Sequence, residues 1–172
     1  TETLIIKGKD TLHADVDYEI IPDRIEAGTF LLGAAVTKGN IVLNNVNSNH
    51  MQIVLEYLEK SGVTINVNNN TIHVDAVNSS ISPVNMETDI YPGFPTDLQA
   101  QWMSFMLCAS GPSTITENIY LDRFTHIAEL CRFGAEIRLD HNKAYIKGNN
   151  TLIAAPVMST DIRASASLII AA

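Results

Sequence analysis

The chain has 172 residues, of which 46% are hydrophobic and 17% are charged, and this composition predicts a globular protein with a sizeable buried core. The net charge of −8 argues against nucleic acid or an anionic membrane as a partner. No apolar run is long enough to cross a bilayer, and the five histidines lack the spacing of metal ligands, so neither a membrane span nor a metal site is predicted.

The predicted elements follow a regular order along the chain. A helix over about residues 24–37 is followed by a strand in "IVLNNV", an amphipathic helix in "HMQIVLEYLEKSG" and two short strands. A helix over about residues 98–109 leads into the strand "STITENI", the amphipathic helix "RFTHIAELCRFG" and another strand pair. The last segment, "VMSTDIRASASLIIAA", predicts a third helix of the first kind.

Glycine positions show that this order is an internal repeat. Gly39 and Gly62 are 23 residues apart, as are Gly111 and Gly134, and the two pairs are offset by 72 residues. We therefore predict a first unit over about residues 16–88, a second over about 89–155, and a third that begins at about 156 and is truncated within its first helix. Each unit has the order β-α-β-α-β-β.

The first helix of each unit differs from the second in its charge. "IEAGTFLLGAAVTKG" and "LQAQWMSFMLCASG" carry almost no charge beyond the first turn, which predicts helices buried on all sides at the centre of the domain. Sheets and amphipathic helices would surround them, and small residues such as Gly28 and Gly33 would allow close approach. Cys108 and Cys131 fall in apolar helical segments and are predicted to be reduced thiols, packed in the core of a cytoplasmic protein.

An aspartate stands at the entrance of each predicted central helix, in "IPDRIEAGTF", "FPTDLQAQW" and "MSTDIRASAS". If the helices are parallel, their N-termini gather at one end of the domain and form a site suited to phosphate or carboxylate groups. Arg24, Arg123 and Arg163 would add positive charge there. The alternative is that the aspartates, or Thr96 in place of Asp97, are simple N-caps.

Three segments also resemble a known family. "PDRIEAGTF", "YPGFPTDLQAQ" and "TDIRASASL" are similar to signature segments of the UDP-N-acetylglucosamine enolpyruvyl transferases, and the resemblance extends over essentially the whole chain. It implies an inside-out α/β barrel of the EPSP synthase-like superfamily, with two similar domains of three units each. This chain would be most of one domain, with the second domain absent.

The resemblance implies a function as well. These enzymes transfer the enolpyruvyl group of phosphoenolpyruvate to UDP-N-acetylglucosamine, without a cofactor, in the first committed step of peptidoglycan synthesis. That step serves cell wall biogenesis, and through it cell shape, the cell cycle and cell division. Because the proton-donating cysteine of the family lies on the absent domain, the fragment alone is predicted to be inactive. The exposed end of its last helix, "ASLIIAA", predicts self-association.

The resemblance also implies roles for individual residues. Asp97 matches the aspartate that contacts the sugar hydroxyl and is the usual proposed general base. Ile119 matches a residue of the UDP-sugar site. The charged residues that match the walls of the cleft are Arg24, Arg123, Asp161 and Arg163. The chain departs from the family where Leu121 and Asp122 precede the arginine, in place of an acid and an asparagine.

Two other functions stay open at this point. Phosphoshikimate enolpyruvyl transferase is a sister enzyme with the same fold and chemistry, and the binding of phosphoshikimate rather than UDP-N-acetylglucosamine would identify it. The other alternative is a non-catalytic binding or structural domain that is built on the same repeat.

Overall fold

The computed structural model describes residues 3–14, 16–159 and 161–172. The α-helices are α1 (Arg24–Val36), α2 (Gln52–Lys60), α3 (Gln99–Leu107), α4 (Ile127–Arg132) and α5 (Ile162–Ala171). The strands are β1 (Asn40–Asn44), β2 (Thr64–Asn68), β3 (Thr71–Asp75), β4 (Met86–Glu87), β5 (Ser113–Thr116), β6 (Ile137–Asp140) and β7 (Lys143–Ile146). Short 3₁₀ turns cover Ser48–His50 and Thr96–Leu98.

The first unit contains α1, β1, α2, β2 and β3 in the predicted order. Its three strands form an antiparallel sheet in the order β1-β3-β2, and Asp75 of β3 pairs with Asn40 on one side and with Thr64 on the other. Gly62 ends the α2 segment with a φ of 92°, as expected for a glycine C-cap. The described residues before α1 form no helix or strand, so the predicted opening strand of this unit is not seen there.

The second unit repeats this order and includes the opening strand. Strand β4 pairs in parallel with β5, which in turn pairs antiparallel with β7, so the sheet order is β4-β5-β7-β6. Gly134 follows α4 with a φ of 89°, in the same place as Gly62 in the first unit. One sequence pattern therefore produces one sheet and one outer helix in each of the two units.

Helix α3 is the centre of the molecule. Every residue from Gln99 to Leu107 is buried, and α3 packs against both α1 and α5. The Gln101 side chain donates a hydrogen bond to the Thr29 hydroxyl of α1, and the Ser104 hydroxyl donates to the Ser167 carbonyl of α5. Nearer the N-termini, Asp97 lies 3.4 Å from Arg163 of α5 and lines one cleft with Arg24 of α1. The contacts therefore advance in the same direction along all three helices, which run parallel, as the sequence predicts.

The prediction that the first two central helices are buried on every side is correct for α3 but wrong for α1. Phe30 of α1 is 58% exposed, and Ile169 of the third central helix, α5, is 77% exposed. These two residues line an apolar groove between α1 and α5. Self-association through such a surface stays a prediction.

The prediction that both cysteines are buried in the core is also wrong. Cys108 and Cys131 are both free and exposed. Cys108 is the C-cap residue of α3, beyond its buried turns, and Cys131 lies off the buried stripe of α4, which consists of Ile127 and Leu130. The apolar pattern therefore predicted correctly which helices the cysteines belong to, but it predicted wrongly that their side chains are buried.

Candidate active site

The N-termini of the central helices meet at one end of the domain, and Asp97 lies at their centre. Its Oδ1 accepts a hydrogen bond from Nη1 of Arg123 at 2.6 Å and lies 3.4 Å from Nε of Arg163. Arg123 follows β5, whereas Arg163 is the second residue of α5. The ion cluster of Asp97, Arg123 and Arg163 thus joins three segments that are far apart in the sequence.

The aspartates at the other two entrances are helix N-caps. Asp23 accepts hydrogen bonds from two backbone N–H groups in the first turn of α1, at 2.7 and 3.2 Å. Asp161 accepts two from the first turn of α5, at 2.8 and 2.9 Å. For these two residues the simple capping interpretation is correct.

Asp97 differs, and the prediction that Thr96 or Asp97 caps its helix is wrong. Both residues lie inside the 3₁₀ turn that precedes α3. Pro95 is the N-cap residue of that turn and Leu98 is the N-cap residue of α3, and among the described residues neither end has a side-chain cap bond. Because the Asp97 carboxylate does not cap the helix, it is available to pair with the guanidinium groups of Arg123 and Arg163. The three aspartates are therefore not equivalent, because Asp23 and Asp161 form capping bonds and Asp97 forms none.

The segment before Asp97 is held by packing on its interior side. Phe94 is buried, and its ring makes edge contacts with the rings of Tyr57 and Trp102 at centroid distances of 5.3 and 5.5 Å. Gly93 is required in the tight turn, because a Cβ there would lie 2.5 Å from Cβ of Asp89. This anchoring explains the stiff "YPGFPTD" sequence: it fixes the backbone that carries Asp97.

The electrostatics of the cluster keep Asp97 charged. Burial acts to raise the pKa of its carboxyl, but the hydrogen bond from Arg123 and the charges of Arg163 and Arg123 outweigh burial, and the pKa lies below its ordinary value. The pKa of Asp161 is lowered as well, chiefly by the hydrogen bond from the N–H of Ala164. Both carboxylates are therefore ionised and able to accept protons or hydrogen bonds at neutral pH.

The other residues singled out in the sequence lie around this cluster. Arg123 also donates to the Thr96 carbonyl at 3.2 Å, and its guanidinium lies 5.3 Å from the ring centroid of Tyr120. Arg24 stacks on Tyr91 at 4.9 Å and lines the same open cleft as Asp97. Ile119 is 43% exposed on the loop after β5. The structure therefore places all six predicted site residues at the same end of the domain.

A cavity of about 310 Å³ lies between α3, α5 and the loop of residues 120–126, and its walls include Arg123, Asp161 and Arg163. His126, for which the sequence predicted no functional role, forms one wall of this cavity and is 2% exposed. Burial lowers the pKa of its imidazole to about 4, so the ring is neutral at pH 7. Its Nε2 has no hydrogen-bond partner among the described residues.

Glu117 is a second residue that the sequence reading missed. Its side chain is fully buried directly after β5, although glutamate is rarely found in such a place. The sequence shows only a charged residue directly after the predicted strand segment "STIT", and this does not distinguish Glu117 from a surface glutamate. Among the residues described, no group of His, Cys, Asp and Glu side chains is suited to a metal ion, and no helix is long and apolar enough to cross a membrane.

With this geometry established, comparison with known proteins identifies the family. The family model described as EPSP synthase (3-phosphoshikimate 1-carboxyvinyltransferase) matches residues 1–172. The chain belongs to the EPSP synthase family. Similar family members include the UDP-N-acetylglucosamine 1-carboxyvinyltransferases of Hydrogenovibrio crunogenus, 47% identical over 171 residues, and of Endomicrobium trichonymphae, 46% identical over 171 residues. Each alignment covers 99% of this chain but only 41% and 40% of those relatives, so the chain spans about two fifths of their length.

Solved structures show the same fold. The enolpyruvyl transferase NikO from Streptomyces tendae matches 88% of this chain and 36% of its own, with a TM-score of 0.75 and 22% identity. An EPSP synthase from Acinetobacter baumannii matches 86% of this chain and 38% of its own, with a TM-score of 0.69 and 21% identity. The predicted fold class, an α/β domain of the EPSP synthase type with helices at its centre, is confirmed.

Proposed function

We propose that the protein to which this chain contributes transfers the enolpyruvyl group of phosphoenolpyruvate to UDP-N-acetylglucosamine, as a cytoplasmic enzyme of peptidoglycan synthesis. The observation that supports this proposal is the Asp97 carboxylate held between Arg123 and Arg163 at the converging helix N-termini. An ionised acid beside two arginines suits a reaction in which a base must act next to anionic substrates. Relatives that are 46–47% identical carry the name of this activity.

In the proposed reaction Asp97 is the general base. The sugar hydroxyl gives its proton to the Asp97 carboxylate while its oxygen forms a bond to C2 of phosphoenolpyruvate, and C3 takes a proton from a donor outside this chain. Phosphate then leaves C2, and the same outside donor, now deprotonated, removes a proton from C3, which restores the double bond. Side chains carry the whole reaction, so no cofactor is required.

The remaining site residues would bind and orient the substrates. The guanidinium groups of Arg123 and Arg163 present planar donors that fit carboxylate or phosphate oxygens. Ile119, exposed on the loop after β5, offers an apolar contact to the sugar nucleotide. Arg24 and Asp161 would line the cleft on either side.

The proposal is tested by assaying the full-length protein for phosphate release from phosphoenolpyruvate with one of two acceptors. We expect release with UDP-N-acetylglucosamine and only background with shikimate 3-phosphate. The reverse preference would favour the 3-phosphoshikimate activity that the family description includes. Release with neither acceptor would favour a non-catalytic domain. The 172-residue chain alone should release no more phosphate than its Asp97→Asn variant, because it carries only part of the enzyme.

A further inference from the structure

The buried Glu117 carboxylate makes four hydrogen bonds that connect the two loops carrying the site. Its Oε1 accepts from the backbone N–H groups of Ile119 and Tyr120, each at 2.9 Å, and from the hydroxyl of Thr88 at 2.7 Å. Its Oε2 lies 3.0 Å from the hydroxyl of Thr96. A side chain that is 0% exposed and bonded by both oxygens has little freedom to move.

The direction of the bond from Thr88 follows from its other partner. The Thr88 hydroxyl oxygen accepts a hydrogen bond from the N–H of Asn118 at 2.9 Å, so its own proton is directed to Glu117. Oε1 therefore receives three donors, which is the pattern expected for an acceptor-only carboxylate. Thr88 and Glu117 come directly after the parallel strands β4 and β5, whose carboxyl ends meet at one edge of the sheet.

Each loop held by Glu117 carries part of the ion cluster. Thr96 is the residue before Asp97, and its carbonyl is also bound by Arg123. Ile119 and Tyr120 stand on the backbone that leads to Arg123. The Glu117 side chain thus connects the loop that carries Asp97 to the loop that carries Arg123, and it does so from the buried side of both loops.

We propose that Glu117 is a positioning residue that fixes the Asp97 carboxylate relative to Arg123 by bonding Thr96 on one loop and the Ile119–Tyr120 backbone on the other. The residue itself is buried and does not reach a ligand, so its effect on the reaction passes through Asp97. As a statement about catalysis this inference rests on the proposed function. As a statement about geometry it can be tested in the 172-residue chain.

The most specific variant is Thr96→Val. Valine has a shape similar to that of threonine but lacks the hydroxyl, and the substitution does not replace Glu117, Asp97 or Arg123. Thr37→Val is the matched control, since that hydroxyl bonds to the Gly33 carbonyl at the opposite end of α1. In the full-length protein we expect Thr96→Val to lower kcat about tenfold with little change in KM, because small displacements of reacting groups cost up to about a hundredfold in rate. Thr37→Val should keep the wild-type kcat.

Variants of Glu117 itself separate positioning from simple stability. Glu117→Gln keeps the shape and an acceptor oxygen for the three donors, and its amide can donate to Thr96, so kcat should stay within about threefold of wild type. Glu117→Ala should lose about a hundredfold in kcat if it folds, and Thr96→Val added to it should cost little more, since both changes break the same link. Additive losses in the double variant would contradict the proposal.

A second readout does not depend on activity. In the 172-residue chain, the pKa of the Asp97 carboxyl can be measured by ¹³C NMR titration. It should rise toward its ordinary value in Thr96→Val, because the pair with Arg123 is loosened, and should not change in Thr37→Val. An unchanged Asp97 pKa in Thr96→Val would overturn the inference, whether or not the full-length protein is active. Lack of transferase activity in the wild type would overturn only the proposed function.

Discussion

Replacement of Asp97 by Asn in the full-length protein separates a catalytic role from a structural one. The substitution keeps the size of the side chain but removes the charge that lies 2.6 Å from Arg123 and 3.4 Å from Arg163. Since Asp97 does not cap α3, no cap is lost. The effect on stability comes from the ion cluster alone, and the effect on turnover comes from loss of the base.

The structure sets the expected size of both effects. The Asp97 side chain is 38% exposed, so solvent screens its ion pairs, and their loss should cost about 1 kcal/mol of unfolding free energy. For a domain of this size that corresponds to a fall in Tm of roughly 2–4 °C. Loss of a general base costs about a hundredfold to ten-thousandfold in rate. The loss of turnover should therefore greatly exceed what the small loss of stability can explain.

The pH dependence of stability gives an independent check in the 172-residue chain. The pKa of Asp97 is lower in the folded state than its ordinary value, so between those two values the unfolded state binds more protons. The contribution of Asp97 is therefore present above the ordinary pKa and is lost as the pH falls through the folded value. In Asp97→Asn this part of the acid-induced loss of stability should disappear.

The assay compares phosphate release and thermal unfolding for wild type, Asp97→Asn and Asp75→Asn. Asp75 is a matched control, because its carboxylate accepts a single hydrogen bond from the N–H of Val77 near the opposite end of the domain. We expect Asp75→Asn to retain wild-type turnover. Near-normal turnover in Asp97→Asn would refute the assignment of Asp97 as the base, even if its Tm fell as expected.

Further predictions concern a buried histidine, two helix glycines and two cysteines. Because the pKa of His126 is lowered from 6.5 to about 4, the unfolded state binds the extra proton, and the chain should lose up to about 3 kcal/mol of stability as the pH falls through that range. Urea unfolding at pH 7 and pH 4 should show a smaller loss in His126→Gln. Gly28→Ala should destabilise the chain by about 1–3 kcal/mol, since its Cβ would lie 2.5 Å from a buried leucine side chain. Gly33→Ala, with nothing within 4 Å, should be neutral or stabilising by up to about 1 kcal/mol, and thermal unfolding compares the two. Both cysteines should react with a thiol reagent in the folded chain, with Cys108 slower than Cys131, because the Cys108 residue is exposed but its thiol is partly buried, which raises the thiol pKa. Protection of either cysteine would contradict its exposure.

The sequence by itself determined the element order and the repeat. Glycines at 62 and 134 end the outer helices because their backbone needs a positive φ, which is a local requirement that a sequence pattern can show. The charge-free helix 99–107 is buried on every side, because a helix without a polar face must be covered. Asp23 and Asp161 cap their helices through bonds to residues two and three positions away, and such local contacts are also visible in sequence.

The ion pairs of Asp97 and the burial of Glu117 depend on residues that are distant in the sequence, and only the tertiary structure decided them. Asp97 has the same sequence context as the capping aspartates, yet it pairs with Arg123 and Arg163, which are 26 and 66 positions away along the chain. Glu117 could not be distinguished from a surface glutamate, because its partner Thr88 directly follows a separate strand, β4, that pairs with β5. Ion pairing and burial depend on which segments meet in space, whereas caps and turns depend on neighbours in the chain.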